Sequence, residues 1–197
     1  YHLLIIYRGD NMICITDRDM KIKEFLKEVG VADTRTLSAL FFPNTTMRNA
    51  QKRLKQLVDA KYIKCYRENV ISQNVYFTKK PSNVPHKIKF SQLLAEIEQQ
   101  NIELLKYRCP YKIGGVIADG LIVIKDRGKV KIYFVECERT KKLDISKYES
   151  LYYSRSTWKE VFPVMPRILC ITDKRINTEH KTLNIRTCKW DLSDLKI

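Results

Sequence analysis

Three acidic residues stand in apolar surroundings where a carboxylate is expensive. Asp119 interrupts the run GVIADGLIVI (residues 115–124), and Glu136 and Glu138 close the run KVKIYFVECE (residues 129–138). A charge in such a run is costly to bury unless a countercharge or a metal compensates it. The tetrapeptide KDRG joins the two runs, and a short glycine-containing connector between β-type runs makes an antiparallel hairpin. In that hairpin the start of one strand lies beside the end of the other, so Asp119 faces Glu136 and Glu138. Side chains alternate along a strand, which puts Glu136 and Glu138 on one face and Cys137 on the other. Three carboxylates converging without an adjacent countercharge repel one another, and a hard divalent cation such as Mg²⁺ removes the repulsion. A metal held there activates a water and stabilises charge on a phosphate during in-line displacement. The plainer alternative pairs Glu136 or Glu138 with Arg139, Lys141 or Lys142 near the surface. It accounts for Glu138 and leaves Asp119 unexplained.

The elements that must hold these acids can be read from periodicity. Residues 88–101 place Phe90, Leu93, Leu94 and Ile97 on one helical face, and residues 102–107 form a strand. After the hairpin, a helix over 143–158 carries Ile145, Tyr148, Leu151 and Tyr152 on one side. A buried strand follows over 167–172 (RILCIT) and a last one around 183–187. The order is helix, three strands, helix, strand. Tyr148, Tyr152 and Tyr153 are possible nucleophiles toward a phosphodiester, but their spacing is that of helix packing, which is the preferred reading.

Ahead of this region, residues 17–30 form a helix capped by Thr16 or Asp17 and ended by Gly30, and a short helix over 34–42 stops before Pro43. A third helix, residues 44–60, is capped by Asn44 or Thr45. Met47, Ala50, Leu54, Leu57 and Val58 make its apolar stripe. The opposite flank carries Arg48, Asn49, Gln51, Lys52, Lys55 and Gln56, side chains that bond phosphates and base edges, with no acid among them. An ordinary solvated helix mixes signs and shows Glu–Lys pairs. Residues 61–67 and 75–79 then alternate around a polar connector and form a hairpin carrying Lys64 and Arg67. Three helices and a hairpin in this order give a winged helix, and RLKQLVDAKYIKCYR resembles the recognition helix and first wing strand of bacterial winged-helix proteins. The same fold also serves protein contacts or dimerisation.

The acidic residue early in the second strand and E-x-E late in the third, in this element order, resemble the PD-(D/E)XK nuclease superfamily. More narrowly, a winged helix joined to IADGLIVI…IYFVECERTKK…ISKYESLYY…RILCIT resembles the replication-relaxation family of bacterial plasmids and mobile elements over most of the chain. That resemblance implies a restriction-endonuclease-like domain and metal ligation by Asp119 and Glu136, with His86 at a further family position. Ala118 stands where the superfamily has proline, and Glu138 where it has its catalytic lysine. Some relatives work with E-x-E. In others the lysine has moved to the following helix, where Lys147 is positioned to be such a replacement; alternatively the site is inactive.

Charge agrees with a polyanionic partner. The chain of 197 residues has 37 Lys+Arg against 22 Asp+Glu, a net charge of +15, and such a field attracts nucleic acid. No run of 18 apolar residues offers a membrane span, and residues 1–7, apolar but short, read as an edge strand. Six scattered cysteines make no C-x-x-C pair and imply a reducing, cytoplasmic setting. His2, His86 and His180 form no H-x-H cluster, and neither G-x-x-x-x-G-K-[ST] nor G-x-S-x-G occurs.

The expectation is therefore an α+β or α/β chain: a winged helix over 1–80, a linker over 81–89 (holding Pro81, Ser82 and Pro85), and an αβββαβ nuclease-like domain over 90–197. Its partner is double-stranded DNA, with homodimerisation as a further possibility, and its expected role is DNA replication or processing. The alternative is a non-catalytic regulator or replication accessory factor whose second domain dimerises or adds DNA contacts.

Overall fold

The computed structural model describes residues 4–8, 11–69 and 72–197. The chain is mixed α and β and divides into two compact units, Tyr1–Ala95 and Glu96–Ile197. No helix among the described residues is long and apolar enough to cross a membrane. Of the predicted edge strand 1–7, residues 1–3 lie outside the described residues. The remainder falls in β1 (Leu4–Arg8), which pairs antiparallel with β2 (Asn11–Ile15).

In the first unit, α1 (Asp17–Val29) begins at Thr16, whose hydroxyl accepts the Asp19 N–H while the Asp19 carboxylate accepts the Thr16 N–H. This reciprocal pair satisfies two helix-end donors at once. Gly30 ends α1 at a φ of 86°, a conformation glycine adopts without steric cost. Next come β3 (Ala32–Asp33) and α2 (Thr34–Phe41), the latter capped by the Asp33 carboxylate on the Thr36 N–H. Helix α3 (Met47–Asp59) starts later than the sequence suggests, and its cap is Thr46 instead of Asn44 or Thr45. Strands β4 (Lys64–Tyr66) and β5 (Val75–Phe77) complete a three-stranded sheet of order β3-β5-β4. Ile22, Leu26, Leu37, Leu54, Leu57 and Ile63 form its buried interior.

The linker predicted over 81–89 needs correction in its second part, because α4 (Val84–Gln99) begins inside it. Pro85 lies in the first turn, where a missing N–H breaks no helical hydrogen bond. The division between the two units falls within α4.

In the second unit, β6 (Glu103–Arg108), β7 (Tyr111–Ile113), β8 (Val116–Ala118), β9 (Gly120–Asp126) and β10 (Lys129–Cys137) precede α5 (Ser146–Tyr153), α6 (Arg155–Lys159), β11 (Arg167–Ile171) and β12 (Ile185–Cys188). One five-stranded sheet has the order β12-β11-β10-β9-β6. Strand β9 pairs antiparallel with β6 on one side and with β10 on the other, while β11 joins β10 in parallel and β12 joins β11 in parallel. The β9–β10 hairpin turns on Arg127 and Gly128, both at positive φ, so the twist of a two-residue turn matches that of its strands.

Two expected elements differ. The run 115–124 is two strands, because Gly114 and Gly115 turn β7 back onto β8 as a separate hairpin before Asp119 bends the chain into β9. A Cβ on Gly114 would meet Thr157 and Leu151 side-chain carbons at 2.7 and 2.8 Å, so this turn seats against the α5–α6 region only as glycine. The helix predicted over 143–158 breaks at Ser154, whose ψ of 62° is not helical. The Trp158 indole N–H donates to the Tyr152 carbonyl at 3.2 Å, satisfying a helix-end acceptor at the break. One face of the sheet, with Leu121, Phe134, Ile168 and Cys170, packs with Tyr148, Leu151, Trp158 and Phe162 in a single core.

Candidate active site and candidate nucleic-acid interface

Glu136 lies on β10 two residues beyond Phe134, on the face that meets α5, and is only 3% exposed. The parallel register sets it beside Cys170 of β11. Asp119 occupies the bend one residue before Gly120, and Gly120 pairs with Val135, so the hairpin carries Asp119 alongside Glu136. The Asp119 Oδ2 accepts the Cys137 N–H at 2.8 Å, which ties the bend to the end of β10.

The next two contributors come from α5. Asp144 accepts the Ser146 N–H at 3.1 Å and the Ser146 hydroxyl at 2.6 Å, fixing where the helix starts. Its first turn then directs Lys147 and Tyr148 to one atom. The Lys147 Nζ lies 2.6 Å from the Glu136 Oε1 and also donates to the Ile117 carbonyl at 3.2 Å. The Tyr148 hydroxyl donates to the same Oε1, and its ring packs on Phe134 with centroids 5.5 Å apart.

Burial pushes the Glu136 carboxyl above its ordinary value, against the opposing effect of its bonds from Lys147 and Tyr148, and the Asp119 charge adds to the rise. Burial, together with the Glu136 charge, drives the Tyr148 phenol far up. The Cys170 thiol is pushed up to about 12 by burial first, then by the charges of Glu136, Glu138 and Asp119, with Lys147 acting the other way. All four charged groups are thus felt at one point of the sheet.

Asp119, Glu136 and Lys147 are therefore brought together, and Tyr148 with them. Glu138 lies past the end of β10, half-buried, with its N–H on the Ile171 carbonyl. Its carboxylate makes no ion pair among the described residues, and the ion-pair partner of Glu136 is Lys147 instead of Arg139, Lys141 or Lys142. The premise of three carboxylates without a countercharge is thus corrected, since the Lys147 ammonium supplies one. No group of three metal-ligating side chains occurs among the described residues. Two carboxylates remain, and one oxygen of Glu136 is already engaged by the Lys147 ammonium and the Tyr148 hydroxyl. His86 lies on α4 in the first unit.

Tyr148 is the contributor that pattern reading assigned to packing alone. Replacing it with phenylalanine keeps the ring and removes one hydrogen bond to a buried carboxylate, a bond worth about 1.5–3 kcal/mol. Glu136 should then titrate still higher. Because its folded pKa is raised, its stabilising share is complete below the ordinary value of 4.5 and is lost as pH rises through the folded value. Urea unfolding of Tyr148→Phe should lose stability more steeply with rising pH than the parent does over that interval. Identical pH profiles would show that the hydroxyl does not act on Glu136.

In the first unit, Arg48, Asn49, Gln51, Lys52, Lys55 and Gln56 of α3 are all exposed, while Ala50, Leu54 and Leu57 are buried. Met47, expected in the apolar stripe, is 41% exposed because it occupies the first turn. The flank is not free of acid, which corrects the sequence reading: Lys55 pairs with Asp59 at 2.8 Å one turn on. Lys64 is exposed on β4, and the Arg67 Nε donates to the Asn74 Oδ1 at 3.0 Å across the hairpin. Arg53, on the same helix, is turned inward onto Asp19 and is no part of this surface.

Comparison of the chain with protein-family models, curated proteins and solved structures finds no match.

Proposed function

We propose that the chain is a DNA-binding protein that acts in DNA replication or processing, with a winged helix as its first unit and a PD-(D/E)XK-type phosphodiester site in its second. One observation carries the catalytic part. Two carboxylates and an ammonium, drawn from a strand bend, a strand end and a helix, are gathered at one corner where Glu136 is buried and Asp119 and Lys147 are half-buried. The lysine arrives from the helix after the acidic strand, the displacement that the superfamily resemblance implies. Asp119 and Glu136 would hold a Mg²⁺ ion, which when bound supplies Lewis-acid stabilisation of charge on a phosphate. Lys147 would hold positive charge toward the scissile phosphate, Tyr148 would keep the Glu136 carboxylate oriented, and the Cys137 N–H would hold Asp119. The likeness to the replication-relaxation family supports an origin in a plasmid, phage or conjugative element.

Binding rests on the exposed flank of α3 together with Lys64 and Arg67 of the hairpin. Arg48, Lys52 and Lys55 neutralise phosphates, and Asn49 and Gln51 are of the type that pairs with adenine edges. The pairing of Lys55 with Asp59 weakens that contribution, so Lys52 is the better probe. Lys52→Ala should lower the slope of log affinity against log salt by about one unit on duplex DNA. A parent affinity independent of salt would end the binding assignment.

A second reading has an observation of its own. The Glu136 oxygen is already engaged by Lys147 and Tyr148, as in a structural ion pair. On that reading the second unit is a non-catalytic fold used for dimerisation or DNA contact. The two readings part in a nicking assay on supercoiled DNA with Mg²⁺ or Mn²⁺, where the first requires cleavage and the second none.

A further inference from the structure

The first unit holds a second concentration of positive charge, separate from α3. A cavity of about 590 Å³ opens between the end of α1, the stretch following β5 and the start of α4. Lys27, Lys79, Lys80 and Lys87 line it, with the hydroxyl residues Thr78 and Ser82. No acidic or aromatic residue lines it, and none of the four lysines makes an ion pair among the described residues. The Lys87 side chain passes over Gly30, where an added Cβ would meet its Cδ at 3.0 Å, so the glycine makes room for the chain that carries this ammonium.

Like charges gathered around one concavity repel unless an anion joins them. The carbonyl end of α1 also faces the region and disfavours anions by the equivalent of about half a charge. Four whole positive charges outweigh it, and Gly30 already occupies the Leu26 carbonyl with its own N–H. The lining holds no aromatic ring to stack a base and no Arg, Asn or Gln to pair with one in bidentate fashion, whereas its flexible ammoniums and hydroxyls suit phosphate oxygens. The cavity lies at the far end of β5 from the Arg67–Asn74 pair, roughly 13 Å away for four extended residues.

We infer that this four-lysine cavity is a second phosphate-contact site for the DNA backbone, additional to the α3 flank. The inference rests on the DNA-binding reading above. It is tested by titrating a labelled duplex between about 50 and 300 mM salt with the parent, Lys79→Ala/Lys80→Ala/Lys87→Ala and Lys52→Ala. Each phosphate contact contributes about 0.9 to the slope of log affinity against log salt. The triple variant should therefore lose about 2 to 3 units of slope, and adding Lys52→Ala should lower it further by about one. If the triple variant misfolds by circular dichroism, Lys79→Gln/Lys80→Gln, at two exposed positions, should still lose about 1 to 2 units. A steep parent slope that these variants leave unchanged overturns the inference and spares the DNA-binding reading. A parent without salt-dependent binding overturns both. Tripolyphosphate binding that is lost in the triple variant, with an unchanged DNA slope, also overturns it, in favour of a free polyphosphate.

Discussion

Arg53→Ala should cost the first unit about 3 kcal/mol of stability, toward the lower end of what breaking a buried ion pair costs. Asp19 has no exposed surface, and its carboxylate takes the Arg53 Nε at 3.2 Å on one oxygen and the Arg53 Nη2 on the other. The same guanidinium donates to the Cys14 carbonyl at 2.6 Å and to the Gln56 side chain at 3.2 Å, so one residue joins α3 to the start of α1 and the end of β2. Asp19 would keep the Thr16 N–H and hydroxyl, which is why the lower end applies.

The pH dependence should change sign as well. Burial pushes the Asp19 carboxyl up, but the Arg53 and Thr16 bonds prevail and hold it below 3.8. In the parent its contribution is therefore present above about pH 4 and is lost as pH falls through the depressed value. In Arg53→Ala the burial remains while its main opponent is gone, so Asp19 should titrate above the ordinary range. Its contribution then falls as pH rises through the new value. Chemical unfolding between pH 3 and 7 reads both effects, and Asp19→Asn/Arg53→Met should recover most of the loss because no lone buried charge remains. A loss under about 1 kcal/mol with an unchanged pH slope would mean that the pair is a surface contact in energetic terms.

Lys147→Met should reduce Mg²⁺-dependent nicking by about 100- to 1,000-fold, the range found when one donor to developing charge is removed. Asp119→Asn should abolish it, and neither change should alter duplex affinity, because α3 lies in the other unit. The lysine also neutralises Glu136 at 2.6 Å, so its loss should raise the Glu136 pKa further and weaken the second unit. Lys147→Arg separates the two roles. It restores charge beside Glu136, and therefore stability, but its planar fork does not reproduce a point ammonium shared between Oε1 and the Ile117 carbonyl. Nicking that survives Lys147→Met and Asp119→Asn at parental rate would assign the activity elsewhere.

Part of the architecture could be read from periodicity, because β9, the end of β10 and β11 bury residues on both faces and α3 carries a clear stripe. The pairing of β9 with β10 follows from runs of β-branched residues around KDRG, whereas the β7–β8 hairpin and the break between α5 and α6 did not show in the pattern. Asp119 and Glu136 stood out because a carboxylate inside such a run needs a reason. Tyr148 did not, since Ile145, Tyr148, Leu151 and Tyr152 space as any packed helix face. Its ring does pack on Phe134, and only the hydroxyl at its tip does something more. Lys147 has no signal of its own in the sequence, since no local pattern tells which lysine of residues 141, 142 and 147 will reach a strand end. Asn44, Thr45 and Thr46 are all competent caps, and the choice fell to the residue whose hydroxyl reaches the Asn49 N–H. Asp19 and Arg53 are 34 positions apart, so only tertiary packing pairs them.

The acids of the second unit belong to a hairpin closed by a two-residue turn, whereas the ammonium that balances them belongs to the first turn of a short helix reached through the loop after Cys137. Fraying that one turn would withdraw Lys147 and Tyr148 together, and would lift the fully buried Tyr148 ring from Phe134 as well. The charge balance of the corner would therefore depend on the order of that turn as well as on the strands, with the eight residues 138 to 145 joining the two.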